Sequence, residues 1–196
     1  SLDIGPRQRF EDLGSGLSLA LYQLPPSLVI YDFRKHLSEA HVERIDSSQQ
    51  SENCSWRSNR HECGGKWWRD VSQGVNEVGG TRRSCIFVQP HPTQGSVRLR
   101  WKQVASGAAI EGRIGNRLWG VRVAEGSDVL FRVLIDGQER YRQTLHRGDF
   151  TYHRWRIDID PNVSSQTVEF EWSAADTRWR QTCFDARVIG SPETPR

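Results

Sequence analysis

The sequence predicts an all-β protein, a β-sandwich or barrel with a disulfide-stapled loop and an irregular N-terminal arm. Three observations predict it. Apolar and charged residues alternate over several short segments, Gly, Pro, Asn and Asp punctuate the chain between them, and the four cysteines form an even set. At 196 residues the chain suits one well-packed core plus an extension.

Residues 1–26 carry Gly5, Pro6, Gly14, Gly16 and the pair Pro25-Pro26, and read as an arm or linker that packs through Leu17, Leu19 and Leu21. Residues 27–190 form the sandwich and 191–196 a tail. Leu28 to Phe33 is a strand, and Arg34 to Ile45 a short helix or turn followed by a strand. Ser47 to Gly80 is polar and Gly-rich, contains Trp56, Trp67 and Trp68, and reads as a long loop region. Ser84 to Gln89 is a further strand.

From Val97 onward the period of two is clear. Val97, Leu99 and Trp101 face one way while Arg98, Arg100 and Lys102 face the other. Val129 to Ile135 is apolar on both faces apart from Arg132, as in a central strand, and Asp136-Gly137 turns it into Glu139 to Leu145. A three-residue loop with a bulge places Val133 opposite Tyr141 and Val129 opposite Leu145, which keeps core faces aligned. Trp155, Ile157 and Ile159 alternate with Arg154, Arg156 and Asp158, and Val168, Phe170 and Trp172 alternate with Glu169 and Glu171. The turn-forming run 161–166 predicts a hairpin between these two segments, with Arg156 facing Glu169 and Arg154 facing Glu171. Thr182 to Ile189 closes the set.

Lys and Arg number 27 against 24 Asp and Glu, and a net charge of +3 is too small to define a surface for nucleic acid. Eight Trp, seven Phe and four Tyr supply a substantial core. The absence of Met implies a native start upstream of Ser1. The longest near-apolar run, Leu17 to Tyr31, is interrupted by Gln23, Pro25, Pro26 and Ser27, well short of the ~18 residues a membrane span needs. The chain therefore reads as soluble, which leaves room for a membrane anchor outside these residues.

Cys54, Cys63, Cys85 and Cys183 lack the close pairs of a zinc site, and His61 beside Cys63 does not supply one. Disulfides are the better reading and imply an extracytoplasmic location, whether periplasmic, cell-surface or secreted. Cys54 and Cys63 enclose the polar loop Ser55 to Glu62. Cys85 and Cys183 sit in apolar strands, either bridged across the sandwich or buried as free thiols. Glu125-Gly126-Ser127-Asp128 offers two carboxylates and is a poor calcium loop, so no metal and no cofactor is expected.

No sequence motif of a nucleophilic, metal-dependent or nucleotide-binding enzyme is present. Asp149, His153, Asp158 and Asp160 come nearest to a catalytic cluster, but the last three lie along one strand, and no catalytic residue is assigned. Binding has better support. Sugars stack their C–H faces on exposed aromatic rings while charged or amide groups take their hydroxyls. Trp67-Trp68-Arg69-Asp70 and Asp176-Thr177-Arg178-Trp179-Arg180 both place Trp among charged groups outside strands. The candidate ligand-binding residues are Trp56, Trp67, Trp68, Arg69, Arg178 and Trp179, and at least one of the four tryptophans should be partly covered by its neighbours.

The runs Ile110 to Gly115, Asp128 to Gly137, Trp155 to Ile159, Thr167 to Trp172 and Cys183 to Ile189 together resemble the galactose-binding-like domains, in particular the NPCBM type attached to glycosidases. The shared features are a strand ending in Asp136-Gly137 and a closing strand containing Asp185-Ala186. The resemblance covers under half the chain, transfers no binding residue, and implies a jelly roll of eight or more strands with a carbohydrate or cell-surface glycan as ligand. The leading expectation is thus a non-catalytic carbohydrate-binding or cell-envelope recognition module. A protein-interaction or assembly domain, partnered by an envelope protein, is the alternative, and a jelly-roll lyase or hydrolase the third.

Overall fold

The computed structural model describes residues 28–91 and 94–190, together with the backbone of 7–12 and 18–22. Toward the N-terminus, β1 (Arg7–Asp12) and β2 (Ser18–Tyr22) pair antiparallel. The packing expected of Leu17, Leu19 and Leu21 lies outside the described residues.

The body is an antiparallel β-sandwich. Its strands are β3 (Val29–Asp32), β4 (His41–Ile45), β5 (Ser51–Arg57), β6 (Arg60–Glu62), β7 (Val71–Val78), β8 (Thr81–Val88), β9 (Ser96–Ala105), β10 (Ala109–Asn116), β11 (Val129–Ile135), β12 (Gln138–Leu145), β13 (His153–Asp158), β14 (Ser165–Ala174) and β15 (Thr182–Ile189). One layer runs β12-β11-β14-β9-β4, the other β6-β7-β8-β15-β10-β13, and β3 adds to β15. Strand β5 belongs to both: Ser51 to Cys54 pair with β4, and Ser55 to Arg57 pair with β6. The disulfide Cys54–Cys63 sits where the strand leaves one layer for the other and closes the 55–62 hairpin.

Alternation dictates the core. Phe131, Phe170 and Trp172 project from one layer and meet Trp155 and Phe184 from the other, with Trp172 and Phe184 ring centroids 4.7 Å apart. Tyr141 of β12 stacks on Trp155 of β13 at 5.7 Å and closes the side opposite β5. The register expected for β11 and β12 is present, Val133 opposite Tyr141 and Val129 opposite Leu145. The irregularity lies within β12 rather than in the loop, because Asp136 (φ 49°) and Gly137 (φ 78°) make a two-residue turn of positive φ that matches strand twist.

Three expectations are corrected. β13 and β14 do not form a hairpin: β13 pairs with β10, while β14 lies between β11 and β9. Ile157 and Val168 do share the core, but from opposite layers, and residues 159–164 cross between them. Arg156 accordingly faces Glu111, and Glu171 takes Arg98 at 2.9 Å and Arg132 more closely still. Second, the segment read as loop over 47–80 is largely strand. Between its buried ends β7 is half-covered on one face and exposed on the other, so it lacks the apolar alternation that marks a strand, and its ladder to β8 holds it instead. Third, Cys85–Cys183 is a disulfide between neighbouring strands of one layer, β8 and β15, rather than across the sandwich. It is buried on the outer face beneath Val78 and Tyr152. A 3-10 turn at Leu37–Glu39 followed by β4 matches the expectation for residues 34–45.

Buried His61 bonds Leu37 O through Nε2 at 2.8 Å. Burial holds its pKa below the ordinary 6.5. The unfolded chain thus takes up this proton first, so stability is full above about pH 6.5 and falls as the pH drops below it. A urea midpoint that declines between about pH 7 and about pH 5, and declines less steeply in His61→Gln, is the expected result. Equal slopes in the two proteins would remove His61 from the explanation.

Candidate ligand-binding site

The outer face of β7 and β8 carries a groove. Ile86 and Val88 point into the core, so Ser72, Gly74, Asn76 and Phe87 face outward. Above them stand the β5–β6 turn, Ser58-Asn59, and a 3-10 turn at Trp67–Arg69. Both turn residues have positive φ, 49° and 62°, the tight geometry that lets β5 fold back directly into β6. Together these elements wall a concavity of about 410 Å³. It adjoins a smaller one of about 150 Å³ lined by Glu77, Arg82, Leu118 and Trp119, the two sharing Val75, Asn76 and Arg117.

Tryptophans mark both parts. Trp67 is 65% exposed and Trp119 is 62% exposed, so neither ring is held by the core. Trp119 sits on the short helix α1 (Leu118–Arg122), whose start is fixed by the preceding residues. Buried Asn116 donates through Nδ2 to His146 O and Asp149 O, and Arg117 N donates to Gln181 O. Gly74 keeps the floor open: a Cβ built on it meets only Asn76 Nδ2, at 3.9 Å.

The sequence-derived candidates fall in three places. Trp67 lines the groove, and Trp68 beside it packs edge-on against Trp67 at 5.9 Å with Lys66 5.6 Å above its ring. Neither enters the core. Arg69 gives its carbonyl to Arg44 Nη1 at 2.8 Å, so its backbone is structural. Trp56 lies across the hairpin from His61, 4.9 Å away, and covers that buried ring. Trp56 and Trp68 are the more covered of the four tryptophans, each 39% exposed. Arg178 and Trp179 lie on the loop between β14 and β15. Arg178 is clamped to Asp176 at 2.7 Å, which holds the Asp176 carboxyl at about 2 through that hydrogen bond. Trp179 is 53% exposed with φ 61°, a left-handed conformation costly for a bulky residue, and its carbonyl abuts Gly120 of α1. Arg117, Trp119 and Asn76 were not among the candidates. The pattern that selected Trp179, a Trp among charged residues outside a regular strand, also describes Asn116-Arg117-Leu118-Trp119.

Two other features lack a stacking platform. A concavity of about 260 Å³ on β15, β10 and β13 is lined by Asp32, Arg34, Glu111 and Arg187, which pair among themselves, while Trp155 there is buried. His153 and Asp149, 2.5 Å apart, tie the 149–152 turn to β13, and Asp149 also accepts Thr151 N. Asp158 instead pairs with Arg156. The 125–128 turn spends the Asp128 carboxylate on His146 and Arg147 N, and among the described residues no cluster of His, Cys, Asp or Glu is arranged to hold a metal ion.

No family model matches the sequence, and none of the curated proteins compared with it does. Solved structures do show likeness. One is the CBM51-2 module in complex with GlcNAc, with INT domains, of Clostridium perfringens ZmpB, at 14% identity and a TM-score of 0.48 over 76% of this chain. This chain spans 37% of that one. A second is the CBM27-1 of Caldicellulosiruptor saccharolyticus in complex with mannohexaose, at 13% identity and 0.48, over 86% of this chain and 98% of that one. A third is the CBM51 of a Clostridium perfringens GH95 in complex with methyl-galactose, at 7% identity and 0.41, over 76% and 80%. All three are carbohydrate-binding modules, and at these identities the likeness does not extend to individual residues.

Proposed function

We propose that the chain is a non-catalytic carbohydrate-binding module and that its sugar lies in the groove between Trp67 and Trp119. The observation that carries this reading is the pair of exposed indoles beside one groove that also presents the amides of Asn59 and Asn76. Rings left in water at this cost in apolar exposure are suited to the C–H face of a pyranose, and the amides to its hydroxyls. Trp179, held in a strained conformation against α1, extends the same end of the molecule. The two disulfides suit an oxidising, extracytoplasmic setting.

A glycan array followed by calorimetry on the full chain tests this. Trp67→Ala or Trp119→Ala should weaken binding by about tenfold or more, the effect expected of a tryptophan hot spot. Gly74→Leu should block the groove while leaving the melting temperature within a few degrees, because the added side chain enters open space at ordinary φ. A Gly74→Leu protein that binds its glycan normally would place the ligand elsewhere.

A further inference from the structure

Arg117 stands on the wall shared by the two parts of the groove. Its guanidinium lies over the Phe87 ring, 5.1 Å from the centroid, and Nη1 donates to Gln181 Oε1 at 2.6 Å. A neutral amide and an aromatic face orient this charge without neutralising it. Among the described residues no carboxylate pairs with it, and burial alone pulls its pKa below the ordinary arginine value.

Arg98, Arg132 and Arg44 are treated differently. Arg98 has Glu43 and Glu171, Arg132 has Glu171, and buried Arg44 is ringed by backbone carbonyls. A half-buried cation left without an anion is costly, and one fixed in place beside two stacking surfaces is poised to receive an anion from outside. With Nη1 turned to Gln181, Nε–H and Nη2–H remain, the parallel pair of donors that matches the two oxygens of a carboxylate. Arg82 adds positive charge to the adjoining part, where Glu77 is the carboxylate among the described lining residues.

We propose that the groove selects glycans bearing a carboxylate, and that Arg117 receives the carboxylate while the sugar ring lies against Trp67 or Trp119. This rests on the sugar-binding reading of the groove and names the class of sugar. A neutral sugar would leave the guanidinium desolvated and unpaired, so discrimination comes from the absence of a partner inside the protein as much as from the bond formed with the ligand.

The experiment is calorimetry of the full chain with matched pairs: an oligogalacturonate, a hyaluronan fragment and a sialylated oligosaccharide, each beside its carboxyl-reduced counterpart. At least one acidic member should bind about tenfold or more tightly than its neutral partner, and added salt should weaken the acidic member more. Arg117→Gln should abolish that preference while keeping the weaker neutral binding. Arg117→Lys, which keeps the charge and loses the paired donors, should retain part of it and serves if the glutamine variant does not fold. Equal affinity within every pair, or a preference that survives Arg117→Gln, overturns the inference and leaves the sugar-binding reading standing. Binding of no sugar in any pair overturns both. Polyglutamate competing as well as the acidic sugar overturns it too, by showing that charge alone is recognised.

Discussion

Replacing both Cys85 and Cys183 by alanine is expected to cost about 4–5 kcal/mol and to lower the melting temperature by about 10–15 °C. The bond joins residues 98 apart in sequence, so it restrains a large fraction of the unfolded chain. It also fastens β8 to β15 just where their ladder stops: the pairing ends at Phe184 opposite Ile86, and beyond it β15 continues with β3. Removing the sulfurs additionally leaves space beneath Val78 and Tyr152, whose hydroxyl donates to Asp185 at 3.0 Å. Cys54–Cys63 spans only nine residues, and its loss should cost about 2–3 kcal/mol. Urea denaturation of the two double variants measures both. A short-range bridge that matters as much as the long one would show that loop closure is not the governing effect.

Arg180→Ala should destabilise by about 3–5 kcal/mol, the second largest effect of a change confined to one site. Arg180 is fully buried, and its guanidinium gathers carbonyls from three stretches of chain: Arg178 O at 3.3 Å, Arg147 O at 3.1 Å, Val123 O at 3.1 Å, and Glu125 O. Alanine would leave these acceptors facing a hole. The packing is tight enough that Gly126, at φ 88°, has no room for a side chain: a Cβ there would stand 2.3 Å from Arg180 Nε. Arg180→Lys should recover only part of the loss, since one ammonium cannot reach all four oxygens in the same geometry. Loosening these loops also releases the backbone that holds Trp179, so the alanine variant should show a changed indole fluorescence before global unfolding. A loss under about 1 kcal/mol would mean that water replaces the guanidinium at little cost.

Much of the fold is legible because a half-buried strand must alternate. Val97, Leu99 and Trp101 declare their facing, and the Val133–Tyr141 register follows from keeping Val129 and Leu145 on the same side. Alternation does not say which strand is the neighbour. Arg154 and Arg156 could be matched to Glu169 and Glu171 as well as to residues of β10, and proximity in sequence favoured the wrong choice. β7 escaped because Ser72, Gln73, Asn76 and Glu77 are polar on both faces, its order coming from ladder bonds to β8 that leave no mark on composition. The site divides in the same way. Trp67 is visible as a tryptophan in a polar, Gly-rich segment. Arg117 is one arginine among many until the fold sets it over Phe87 and beside Gln181, 64 positions away.

The passage of β5 from one layer to the other joins the two sheets on that side, and among the described strands β12 and β13 end the two layers, each paired on one side only. A strand with free N–H and C=O groups is a template on which a second molecule can lay its own backbone. Here an incoming strand would meet Glu139, Arg140 and Arg142 on β12, or Arg154, Arg156 and Asp158 on β13, all standing in solvent or half-covered, with Glu139 locked to Arg142 and Asp158 to Arg156. Pairing through these two margins would require stripping water from those ions, so β12 and β13 are guarded against intermolecular sheet growth where their hydrogen bonds run out.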